Sequence, residues 1–414
     1  MKTSAKVIAI SVLIILGFLG LSIKSMAQQF VNAGKIWQDE SHIYVNIVDK
    51  GILVIENYDP RNPKKVGFID VPGNIDLAIS GTTLYANSFN DLVTIDITDL
   101  KNVQEKSRIP GVFSQIPRNS VNGSAVAWRT GSEMENALSN ILNGLTNNRL
   151  NLGNLGNTNN GLIGGGLTGN GLMGNGMVAM NQPNQTGNAG SKGGSMACFT
   201  LSGKHLYAID SRNLYAFDLT NPHEPKRNAA PVQVNFDIET IFPSGDKLFI
   251  GSQSGMYIYS IQNPEQPVRL GRYEHTRSCD PVVVEGNYAY VTLRNGNDCD
   301  GQVNQLDVID ISNPSRPRKI VTHNMTNPHG LAIDNGTLFI CDGRDGLKVF
   351  DAKDPYTIKR NQIGHFQGIT AYDVIPVSLQ KRLVMVGSNQ IFQYDYSNPS
   401  NVQLLSTINV GVIN

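Results

Sequence analysis

Charge is what this chain has least of. Charged residues make up 16% of its 414 and the formal net charge is zero. No basic stripe or cluster occurs, so a nucleic-acid partner is excluded as a reading. Cysteine is also sparse, at four, and no Cys-x-x-Cys pair suggests a zinc site. Catalytic signatures are missing too. Gly251-Ser-Gln-Ser-Gly255 places Gln where a nucleophile elbow needs Ser, and there is no His-Glu-x-x-His. What the chain does have is apolar residues, at 40%, and enough length for two or three domains or one large repeat array.

The long uncharged run is at the start. Lys2 and Lys6 precede a 17-residue stretch without charge, from Val7 to Ile23, and Ser25-Met26-Ala27 is a small-x-small site before Gln28. Residues 1–27 therefore read as an export signal. The alternative is an uncleaved anchor, since 17 residues is close to a minimal span. Membrane contact is expected only through residues 7–23. No Cys lies near the site, so a lipid anchor there is excluded. Removing three Lys leaves 31 basic against 34 acidic residues from Gln28 on.

A turn recurs along the rest. Its anchor is Pro60, Leu100, Pro222, Pro264, Pro314, Pro355 and Pro399, each after Asp or Asn. Spacings are 40, 122, 42, 50, 41 and 44, and the outlier is one period plus 80. Before each turn runs an apolar, β-branched strand such as Ile52-Leu-Val-Ile55 or Leu306-Asp-Val-Ile-Asp310. Asn or Asp can bond the backbone two residues on, and Pro presets φ for a turn. Two strands precede this cassette and one follows it. A period near 42 with four short strands predicts an all-β fold, a seven-bladed β-propeller of four-stranded antiparallel blades. An open solenoid is a poorer fit, because its rungs are shorter. Six or eight blades stay open, because the first strand, near Phe30–Trp37, is poorly marked.

The predicted layout is signal peptide 1–27, blades 1–2 in 28–113, an insertion in 114–194, and blades 3–7 in 195–414. Within the insertion, Ser132-Glu-Met-Glu135 is a capping-box pattern, and apolar residues at helical spacing run on to Leu145. Residues 146–194 are dominated by Gly and Asn and read as a disordered Gly/Asn-rich loop, either a spacer or a partner-binding tether. A smaller insertion, 295–304, lies within the fifth unit. A meander brings its Cys299 toward Cys279, so a disulfide is expected there. Cys198 and Cys341 lie in apolar runs and read as buried thiols. Asn297, Asp298 and Asp300 offer oxygens to Ca²⁺, but their spacing is not that of an EF-hand, and a solvated turn is the plainer reading.

The cassettes Ile52-Leu-Val-Ile55 and Leu306-Asp-Val-Ile-Asp310, with Asn-Pro and a further Pro, resemble the LVIVD-repeat family of bacterial secreted proteins. The resemblance covers residues 30–113 and 195–414. It implies a β-propeller at or beyond the cell envelope, and it implies no reaction.

Aligning the innermost strands places Asp76, Glu239, Asp280, His329 and Asp373 at their starts, near one mouth of the channel. They form a cation site or polar ligand pocket on one reading, and register pins between blades on the other. His275 and Arg277 precede Asp280 and can neutralise such a ring. Tyr257 and Tyr259 read as strand surface, and His365 as a loop residue packing between blades. The expected function is an exported, non-catalytic binding or scaffold protein of the cell envelope, with an envelope protein or glycan as partner and no cofactor. The alternative is a metal-dependent propeller hydrolase or lyase, using Ca²⁺ or another divalent cation at the channel mouth.

Overall fold

The computed structural model describes residues 33–113, 127–129, 177–178, 192–195, 197–236, 238–276, 278, 281–295 and 302–410. The expected leader, the helix after Ser132, the Cys279–Cys299 pair, Arg277, and the oxygens of Asn297, Asp298 and Asp300 lie outside them.

Seven four-stranded antiparallel sheets follow one another in chain order and form a seven-bladed propeller. Blade 1 spans 33–70, blade 2 spans 77–109 and blade 3 spans 199–233. Blades 4 to 7 span 238–274, 282–324, 331–366 and 371–409. The poorly marked first strand is Ala33–Gln38.

Third strands such as Gly51–Glu56 and Gly255–Ser260 are buried on both faces except at their last residue. Stacked blades cover both sides of each sheet, so these strands read as continuous apolar runs and not as alternation. This is why Tyr257 and Tyr259, expected at the surface, are buried. The outermost strands, such as Gln104–Ile109 and Val268–Glu274, are more open. His365 sits on one of them, Gln362–Phe366, and not in a loop.

All seven turns close with the same backbone bond. The backbone N–H three residues after the Asp or Asn donates to its carbonyl, as Arg316 to Asn313 at 2.9 Å and Asn102 to Asp99 at 2.9 Å. In six of them the side chain also accepts two residues on, as from Ser315 to Asn313 at 3.1 Å and from Lys101 to Asp99 at 2.9 Å. This i+1 position needs an ordinary φ, so Leu100 serves where other blades have Pro. Just before the turn, Asp310 ends its strand by accepting from the Ser312 hydroxyl and N–H, which hold its carboxyl down near 2. In six blades the register slips by one residue between third and fourth strands, as at Val54/Ile55 and Val308/Ile309. Such a bulge adds local twist to the outer strand.

The turn also docks blades together. Tyr85 of blade 2 donates to the carbonyl of Pro222 at 2.9 Å, and Tyr207 of blade 3 to Pro264 at 2.9 Å. His323 of blade 5 donates from Nε2 to Pro355 at 2.9 Å, and Ser406 of blade 7 to Pro60 at 2.6 Å. Between blades 4 and 5 the fit is steric. A Cβ on Gly271 would lie 2.1 Å from the Pro314 carbonyl oxygen.

Among the described residues, no strand exchanged between blades 1 and 7 seals the ring. Two buried amides do so instead. Asn57 donates to Gln393 at 2.9 Å and Gln393 donates back at 2.8 Å. Replacing either residue by Ala strands a buried partner, a loss of about 1–3 kcal/mol. Urea unfolding of Asn57→Ala, Gln393→Ala and the double variant is expected to show the double costing clearly less than the sum of the singles. Simple additivity would mean the two amides do not act as a pair.

Candidate functional site

Parts of the 114–194 insertion are strands. Ala127–Arg129 pairs with Lys64–Asp70, the outer edge of blade 1. Lys192–Ser195 pairs with Ala33–Gln38, its inner edge, and Met177–Val178 pairs with Lys192–Ser195. Blade 1 thereby becomes a seven-stranded sheet. Lys192–Ser195 also packs against the innermost strands of blades 4, 6 and 7, which reach from the neighbour of blade 1 to the opposite part of the ring. Such a set of neighbours places it in the central channel, which is occupied by the chain's own backbone.

The inner-strand acids lie around this strand. Asp76 is buried, and its Oδ2 accepts from Lys35 Nζ at 3.2 Å and from the backbone N–H of Cys198 at 2.7 Å and Phe199 at 2.8 Å. Its Oδ1 accepts from Leu77 N–H at 2.7 Å. One carboxylate thus joins blade 1, blade 2 and the start of blade 3. Burial opposes charge on Lys35, but Asp76 and Cys198 beside it hold the ammonium protonated, above the ordinary range.

Asp373 is fully buried. Ser195 donates its hydroxyl to Asp373 Oδ1 at 3.0 Å and accepts from Leu331 N–H at 2.9 Å, so the channel strand bridges blades 6 and 7. Among the described residues, Asp373 Oδ2 has no partner. Burial pushes this carboxyl well above the usual range, against the bonds from Val374 and Ser195. Glu239 is half-buried and accepts from Gln253 Nε2 at 3.0 Å. Its carbonyl lies 3.6 Å from the Cys198 thiol. His329 is buried, with Nε2 2.9 Å from Asn327 Oδ1 and its ring edge-on to Tyr372. Asp280 lies outside the described residues.

Of the four acids and one histidine expected at a channel mouth, the structure therefore brings Asp76 and Glu239 to one cluster through Cys198. It sets Asp373 across the channel strand, within electrostatic reach of Lys35. Among the described residues, no group of three or more His, Cys, Asp or Glu is arranged to hold a metal ion. Two participants carried little signal in the sequence. Lys35 sits in the weakly marked first strand, at a register break between Ala33 and Ile36. Ser195 ends a Gly/Asn-rich stretch whose composition suggests no strand.

Burial pushes the His329 imidazole down to about 3, aided by Arg294. The folded state thus keeps His329 neutral while the unfolded chain takes up a proton below about pH 6.5, so stability falls as pH drops from there toward 3. Between pH 7 and 5 the loss from this residue is about 2 kcal/mol. Urea midpoints of the wild type and His329→Gln at both pH values check it. The variant is expected to lose that much less on acidification, and equal losses would remove His329 as the cause.

The profile of the LVIVD repeat matches residues 74–109 and 276–324, which carry blades 2 and 5. No curated protein shows significant sequence similarity to the chain. Among solved structures, the periplasmic gluconolactonase PpgL of Pseudomonas aeruginosa is similar over 90% of this chain and 96% of its own, with TM-score 0.56 and 12% identity. The computationally designed Ika8 protein is similar over 92% and 88%, with TM-score 0.51 and 10% identity. At such identities both likenesses concern the fold alone. With its strand–Asp–turn cassette repeated round a closed ring, the chain carries LVIVD repeats and is a seven-bladed β-propeller.

Proposed function

We propose that the protein is an exported, non-catalytic binding or scaffold protein of the cell envelope, with an envelope protein or glycan as its partner. One observation carries this reading. Both oxygens of Asp76 and one of Asp373 are occupied by backbone amides and by neighbouring side chains, around a channel that holds the strand Lys192–Ser195. A metal-dependent hydrolase or lyase needs open coordination positions there. A rigid ring instead offers its faces. Tyr58 and Tyr356, on the turns that follow the third strands, are 71% and 60% exposed, and aromatic rings suit both protein and sugar surfaces. The leader-like residues 1–27 and their small-x-small site support export.

The test uses protein recovered from cells making the full chain. Its mass is expected to begin at Gln28, and elemental analysis to find far less than one metal per chain. It is expected to bind washed envelopes saturably, with proteinase treatment of the envelopes separating a protein partner from a glycan. Stoichiometric metal that disappears in an Asp280→Ala, His329→Ala double variant would establish the enzyme reading instead. A mass retaining residues 1–27 would replace the cleaved leader by an anchor.

A further inference from the structure

Cys198 and Lys35 meet far from each other in sequence, 163 residues apart, with Sγ and Nζ at 3.5 Å. Cys198 is a free thiol and is partly exposed, while Lys35 is 3% exposed. Lys35 has no room to swing into solvent, and its other contact is Asp76 at 3.2 Å. The Lys35 nitrogen, held as ammonium beside Asp76, is thus set against the sulfur of a partly exposed free cysteine, with the carboxylate placed to take its proton. The Cys341 thiol makes the contrast. It is fully buried, its charged neighbours are the acids Asp342 and Asp373, and no lysine is among them.

We infer that Lys35 and Cys198 are a covalent cross-linking pair, joined by an S–N bond when the thiol is oxidised by hydrogen peroxide. Two steps balance. The Cys198 sulfur attacks peroxide, forming the sulfenic acid and releasing water. The Lys35 ammonium passes a proton to Asp76, and its lone pair then attacks the sulfur. The S–O bond breaks, the departing hydroxide takes that proton back from Asp76 as water, and the second ammonium proton leaves the new S–N nitrogen through Asp76 to solvent. Overall, one thiol, one ammonium and one peroxide give a sulfenamide, two waters and one proton; the sulfur is oxidised and the peroxide reduced. One equivalent of a dithiol returns the thiol and the amine, the dithiol leaving as its cyclic disulfide. A sulfenic acid condenses in this way with a thiol or a nitrogen within reach, and here the nitrogen is in place.

The bond ties the innermost strand of blade 1 to the start of blade 3, over Asp76 of blade 2, and so spans the whole 114–194 insertion. Cross-links that close long loops restrict the unfolded chain most. The inference concerns the scaffold and stands whether or not the envelope reading is right.

The experiment is peptide mapping of the full chain after mild peroxide treatment, under non-reducing conditions. A single linked pair is expected, joining the peptide that holds Lys35 to the one that holds Cys198, about 2 Da lighter than the two together and split by dithiothreitol. Oxidation is expected to raise the melting temperature by roughly a few degrees, reversibly. In Lys35→Arg the cation on Asp76 is kept but the nucleophile is lost. Cys198 should then accumulate as a sulfenic acid that dimedone traps, with no rise in melting temperature. Mapping the wild type needs no variant to fold. If its Cys198 is recovered as the free thiol, as a dimedone adduct or as sulfinic acid, with the Lys35 peptide unlinked, the inference falls.

Discussion

The carbonyl of the turn proline holds the ring together at more places than any other single group. It is left without a partner by the turn itself, because the turn closes on the preceding Asp or Asn carbonyl. At four of the seven turns it points at the blade before, and that blade supplies the donor. A tyrosine serves at Pro222 and Pro264, a histidine at Pro355, and a serine and a glutamine at Pro60. A buried carbonyl without a donor costs more than a typical hydrogen bond returns. The same acceptor therefore recurs while its donors vary. This explains a repeat with a strict turn and loose strands. The turn is read twice, once by its own blade and once by its neighbour.

Ring closure follows from the same economy of side chains. With each blade made of consecutive strands, the first and last blades meet as any other two do. The Pro60 carbonyl takes Ser406, and the Asn57–Gln393 pair adds two reciprocal bonds in a site closed to water. Both amides are neutral, so their burial avoids the desolvation penalty of an ion pair. The seam is a side-chain seam, and its strength lies in complementarity.

The blades were legible because period and turn chemistry are local. Asn313-Pro314 and Asp99-Leu100 announce the same geometry from a few residues, and apolar third strands need no partner to be recognised. Tyr257 and Tyr259 were misread for a related reason. Alternation along one strand cannot tell that a second blade covers the outward face. The channel was legible only in part. The positions of Asp76, Glu239, His329 and Asp373 at the starts of inner strands could be read, but not what meets them. Their partners come from distant chain: Lys35 in a strand weakened by a register break, and Ser195, Cys198 and Phe199 just after the insertion. A Gly/Asn-rich composition argues against a strand by propensity. The inner edge of blade 1 overrides that argument, because its free N–H and C=O groups accept almost any backbone.

That override gives the insertion a structural meaning. It leaves blade 2, pairs with the outer edge of blade 1 at Ala127–Arg129, and returns to the inner edge at Lys192–Ser195 before blade 3 begins. Both edges of one blade are thus covered by the chain's own strands, where an exposed edge would invite another chain. The inner addition does more. An unfilled channel lined by buried Asp76, Lys35 and Asp373 would leave polar groups facing a cavity, and each would need water or an ion. Ser195 meets one oxygen of Asp373 and the N–H of Leu331 together, and Asp76 collects the amides that open blade 3. Backbone at the axis thus makes a hub that ties blades 1, 2, 3, 6 and 7 together, and the bonds that converge there serve the rigidity of the ring.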